Sequence, residues 1–189
     1  MASNLESNRT LGGVGAILLT IGSIFPPLAL VGIILLLVAL KGLSEYYNEK
    51  DIFRDNLYGV IFGTVGIAIA IVLFVSFFFR AYMNRVISPL VLPNIQPFRM
   101  FFGFILILGA IFVFFLLESI FLRKSFDHLA AKTGEKMFGT AGLLLLIGAV
   151  LTVVLVGFII LCAAWIVAAV AFFSMRPAQQ LPPPPISAQ

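Results

Sequence analysis

Polar and apolar residues along this chain are sorted into blocks rather than mixed. Residues 11–40, 57–79, 101–122 and 137–175 are apolar, and the one charged residue inside them is Glu118. Blocks of 18 or more apolar residues without charge read as membrane-spanning helices. At 1.5 Å per residue, 57–79 and 101–122 each match one crossing of a hydrocarbon core about 30 Å thick. The other two blocks are too long for one crossing and short for two. Pro26-Pro27 divides the first, because proline removes an amide donor and disfavours helix in the residue before it. The pattern therefore predicts two short apolar hairpins flanking a central helix pair. The expected helices are 11–25, 28–44, 57–79, 98–122, 137–151 and 154–174.

The two long blocks also resemble each other. Gly12, Gly15, Gly22 and Gly32 match Gly139, Gly142, Gly148 and Gly157 once two single-residue gaps are allowed. A weak parallel repeat follows, and it predicts a second hairpin turning near Thr152-Val153. Close packing of small residues holds helices together in lipid, where apolar burial gives no drive. Gly59, Gly63 and Gly66 are the helix-packing candidates, since that spacing makes one smooth face on the third helix.

Charge sets the orientation. With six crossings, one side holds nine basic residues: Arg9, Lys41, Lys50, Arg54, Arg123, Lys124, Lys132, Lys136 and Arg176. The other side holds three, Arg80, Arg85 and Arg99. With four crossings the split is five against seven, which is almost no bias. The positive-inside rule therefore favours six crossings with both termini cytoplasmic. The reading leaves two turns, at Pro26-Pro27 and near Thr152, without any charged residue. Segment 80–99 mixes Ile87, Leu90, Val91, Leu92, Ile95 and Phe98 with three prolines, and is expected to form an apolar cap on the outer side. The tail 176–189, with Pro182–Pro185, is expected to be disordered or polyproline II.

Composition adds exclusions. The chain is 61% hydrophobic and 11% charged, with a mean hydropathy of +1.14, against about 25% charged residues in ordinary soluble domains. A soluble enzyme, a disordered chain and a nucleic-acid module are excluded. The single cysteine, Cys162, excludes a disulfide or zinc framework. No catalytic elbow, phosphate loop or paired metal ligands occur, so no catalytic residue, metal or cofactor is expected. Asp127-His128 is placed in a loop, 123–136, as a solvated pair. Loop 45–56 is expected to carry a short amphipathic turn. Ionisable groups at membrane depth mark functional sites by default. Glu118 is the weak candidate here for an ion or proton site, with snorkelling or pairing to Arg123 as the plainer alternative.

LGGVGAILLTIGSIFPP, GIILLLVALKGLSEYY and GTAGLLLLIGAVLTVVLVGFIIL, closing on AWIVAAVAFFSM, resemble the predominantly archaeal membrane-protein family catalogued as domain of unknown function 996. The resemblance covers most of the chain; 80–99 is its least familiar part. It implies a multi-pass protein of an archaeal plasma membrane and carries over no binding or catalytic residues. The expectation from the sequence is an all-α bundle of six transmembrane helices, acting as a non-enzymatic structural or accessory subunit of a membrane complex. A small transporter or channel is the alternative, and needs Thr20, Ser23, Thr64, Ser76 and Thr152 to converge on a cavity. The expected partners are the lipid bilayer and other membrane subunits or a second copy of the chain.

Overall fold

The computed structural model describes residues 2–87, 96–154 and 156–175. The described residues form helices joined by short turns, without strands. The helices are α1 (Ala2–Gly22), α2 (Pro26–Tyr46), α3 (Lys50–Ile87), α4 (Gln96–Thr133), α5 (Lys136–Leu151) and α6 (Val156–Ser174), with a 3-10 turn, Thr152–Val154, between the last two. Five of the helices are long and apolar enough to cross a membrane. α1 is the exception, because its first half, ASNLESNRT, is polar.

Each helix packs on the next, and α6 returns to α1, so the six form a closed ring. The ring closes at one end through Arg9, whose guanidinium donates to the Met175 carbonyl at 2.9 Å. Small residues set the spacing within the hairpins. Gly15 and Gly32 face each other across α1 and α2, where an added Cβ would sit about 3 Å from the opposite backbone. Gly148 and Gly157 do the same across α5 and α6. Both repeat-like blocks thus fold as hairpins; at their crossings the alignment pairs Gly32 with Gly157 but does not pair Gly15 with Gly148. Gly15 aligns with Gly142, and Gly142 packs instead on the Arg123 backbone of α4.

Several element boundaries differ from the sequence reading. α1 starts at Ala2 rather than at 11, since Leu5 is buried against the core and carries the polar turn with it. Segment 123–136 is not a loop. α4 continues through Thr133, because Leu122, Phe126 and Leu129 recur at helical spacing on a buried face. Only Gly134, at φ 72°, and Glu135 separate α4 from α5. Glu135 then caps α5, accepting from the Met137 amide at 3.3 Å. Likewise 80–87 continue α3 and 96–99 begin α4, so the expected cap is mostly helix. Its centre, 88–95, and the tail 176–189 lie outside the described residues.

Polar contacts knit the end of the bundle that carries Ala2 and Met175. Ser125 Oγ donates to the Ile52 carbonyl at 2.7 Å. Lys132 Nζ lies 2.9 Å from Glu49 Oε2, and His128 Nε2 lies 3.5 Å from Asp55 Oδ2. The hydrogen bond from Lys132 is the largest influence on Glu49 and holds its carboxyl below the ordinary value. A depressed carboxylate stabilises the fold above its unfolded pKa and stops doing so as pH falls through its folded one. The Tm difference between the protein and Lys132→Gln should therefore exist at neutral pH and disappear under acid conditions. A difference that persists unchanged at low pH would refute that assignment. Burial, and secondarily Tyr46, pushes the Tyr47 phenol up to about 12, so it stays neutral throughout this range.

Candidate functional site: a carboxyl group at the centre of the helix ring

Two cavities meet at Glu118. One, of about 260 Å³, lies inside the ring and is lined by side chains from all six helices, including Leu19, Leu36, Val60, Glu118, Leu145 and Trp165. The other, of about 510 Å³, is an apolar groove along the α3–α4 seam. Its walls are Ile67, Ala70, Ile71, Phe74, Ile107, Ile111 and Phe114, and Glu118 sits at its inner end.

The glycines of α3 explain how a carboxyl group fits there. Gly59 lets α4 approach closely, since a Cβ would fall 3.2 Å from the Glu118 carbonyl oxygen. Gly63 faces the side chain, and its Cβ would fall 2.6 Å from the Glu118 carboxyl carbon. Gly66 accommodates Phe114, at 2.5 Å from the same test. All three face α4, and Gly63 in particular vacates the space that the carboxyl group occupies. Among the described residues Glu118 has no ion pair or side-chain hydrogen bond. Arg123, its expected partner, instead pairs with Asp127 one turn on, at 3.6 Å.

Three hydroxyls share the central cavity with Glu118: Ser23, Ser119 and Thr152. Each donates its hydrogen to its own helix, Ser23 to Leu19 O at 3.2 Å, Ser119 to Leu116 O at 2.8 Å and Thr152 to Gly148 O at 2.8 Å. A hydroxyl that donates in this way keeps only lone pairs for another partner. The three hydroxyls therefore offer acceptors to a guest, as does Glu118 when ionised, while the Trp165 indole offers an N–H. Of the five hydroxyl residues proposed from sequence, Ser23 and Thr152 reach the cavity. Thr20 lies off it, bonded to Ala16 O at 3.1 Å, while Thr64 and Ser76 are exposed on the outer face of α3. Ser119 was not anticipated; its position one residue after Glu118 was the available signal.

The sequence places this arrangement among known proteins. The family model described as "Protein of unknown function (DUF996)" matches residues 28–166. The chain belongs to this family. It is also 30% identical over 175 residues to "Uncharacterized protein MJ1644" of Methanocaldococcus jannaschii, an alignment covering 90% of this chain and 93% of that one. No solved structure matches. The family span contains Gly59, Gly63, Gly66 and Glu118, along with most of the cavity wall, and begins after α1. Among the described residues no three potential metal ligands converge.

Proposed function

We propose that this protein is a small, non-enzymatic transporter of lipophilic cations in the plasma membrane, with both termini cytoplasmic. The observation that carries the reading is the unpaired Glu118 carboxyl group where the lipid-facing groove meets the hydroxyl-bearing central cavity. An apolar groove excludes hydrated ions, and an ionised carboxyl group beside hydroxyls that offer only lone pairs favours a cation over an anion. A guest that satisfies both is an apolar body bearing one positive charge or N–H donor. Charge recognition at membrane depth is strengthened by the low local dielectric.

Trp165, the single tryptophan, lines the cavity and reports on occupancy. Titrating the protein in lipid nanodiscs with tetraphenylphosphonium should change Trp165 emission saturably. Glu118→Gln should weaken that binding by about tenfold or more, equivalent to about 1.4 kcal/mol, and abolish uptake into proteoliposomes. Superimposable titrations for the two proteins would sink the proposal. Gly63→Ala should also weaken binding, by crowding the carboxyl group. Its fold should survive, because the group displaced is the free end of a side chain and not backbone.

A subunit role in a larger membrane complex is the second reading. The far halves of α3 and α4 favour it, since Phe74, Phe78, Phe101, Phe102 and Phe104 are all exposed there. A stoichiometric partner recovered in mild detergent from the native membrane would support it; recovery of the protein alone would not.

A further inference from the structure

We infer that only α3 and α4 cross the bilayer, and that α1–α2 and α5–α6 are re-entrant hairpins that enter from the terminal side and end inside the hydrocarbon. This inference is independent of the cargo proposed above.

Depth along α3 and α4 is the first ground. The hairpin tips, at Ser23 and Thr152, line the same cavity as Val60 and Phe115. Beyond that level α3 runs twenty residues to Arg80 and α4 sixteen residues to Arg99 without another charge. Those stretches are about 30 and 24 Å long, most of a hydrocarbon core. If the far interface lies at Arg80 and Arg99, the tips stop far short of it. The apolar part of α1 is also short, about 18 Å from Leu11 to Gly22.

The chemistry of the tips is the second ground. A turn inside lipid must leave no backbone donor unsatisfied. In the first turn, Ser23 N donates to Leu19 O and Thr20 O, Ile24 N and Phe25 N to Ile21 O, and Leu28 N to Phe25 O, all within 3.3 Å. Pro26 and Pro27 have no N–H to satisfy. The N-terminus of α2, which ordinarily carries several free donors, thus has none through Leu28. In the second turn the Thr152 amide donates to Ala149 O. The side chains between these groups are apolar and bare, Ile24 at 86% exposure and Val153 at 61%. A turn reaching water would be expected to carry charged residues; both turns carry exposed apolar ones instead, and in the first every backbone donor from Ser23 through Leu28 is bonded.

Charge is the third. Re-entrant hairpins leave the two ends of α1–α2 and of α5–α6 on one side, so the nine-to-three distribution of basic residues stands unchanged. The two turns without charge then need no place at the outer surface. Six helices displace lipid from one leaflet and two from the other, which makes the molecule a wedge.

Accessibility of single cysteines decides the matter. In a Cys162→Ser background, Asn48→Cys reports the terminal side and Tyr82→Cys the far side, each tested with a membrane-impermeant maleimide on sealed vesicles of both orientations. Ser23→Cys and Val153→Cys probe the tips, with Ile24→Cys and Val154→Cys as alternates should either fail to fold. Tips that react from neither side, or only from the side of Asn48, support the inference. A tip that reacts from the side of Tyr82 overturns it.

Discussion

Gly157→Val is expected to split the α5–α6 hairpin and lower the Tm of the detergent-solubilised protein by roughly 10 °C. A Cβ on Gly157 would land on the Gly148 carbonyl oxygen and the Thr152 amide, and 2.5 Å from the Leu151 carbonyl carbon. All three are backbone atoms, so no rotamer change relieves the collision. Overpacking against movable side chains costs about 1–3 kcal/mol, and parting two helix backbones should lie at or above the top of that range. At about 2–4 °C per kcal/mol for a chain of this length, the shift follows. Gly109→Ala is the control, since nothing lies within 4 Å of its added methyl group. Relieving a helical glycine there should be neutral or stabilising by up to about 1 kcal/mol. A Tm for Gly157→Val close to that of Gly109→Ala would refute the close approach.

These two glycines show what the sequence can and cannot convey. Gly109 and Gly157 both sit in apolar helices, and nothing local tells them apart. Only the tertiary arrangement shows that one faces open space and the other a carbonyl. The helix pair at the centre was readable from its length, and both flanking hairpins from Pro26-Pro27 and the Gly-spaced repeat. The extensions of α3 and α4 were not, because Arg80 and Arg123-Lys124 end the apolar blocks without ending the helices. A charged residue stops a membrane span but favours helix as well as most residues do. The signal that was available lay in Leu122, Phe126 and Leu129, which keep helical spacing through the charged segment. Glu118 was identifiable as the lone ionisable residue in an apolar block. The gap that Gly63 leaves for it was not, since that depends on the register of α3 against α4.

Phe126→Ala should be nearly as damaging as the glycine substitution, for the opposite physical reason. Phe126 is fully buried where α4 meets α5 and α6. Its ring centroid lies 5.9 Å from Phe138, 6.3 Å from Trp165 and 6.4 Å from Phe172, and Phe138 and Phe172 meet edge-to-face at 4.9 Å. Truncation leaves a cavity that these rings cannot close without moving three helices, and such losses typically cost about 3–5 kcal/mol. This cluster sits in the charge-bearing end of the bundle, within two turns of His128 and Lys132 along α4. The reference there is partly water, so apolar burial contributes in a way it does not between lipid-facing helices. Phe126→Leu keeps most of the volume and should lose under about 1.5 kcal/mol. Trp165 supplies a second readout, because its emission should change in Phe126→Ala even before the protein melts. A melting temperature and a tryptophan spectrum both unchanged in Phe126→Ala would show that the extension of α4 beyond the membrane edge does not hold α5 and α6 in place.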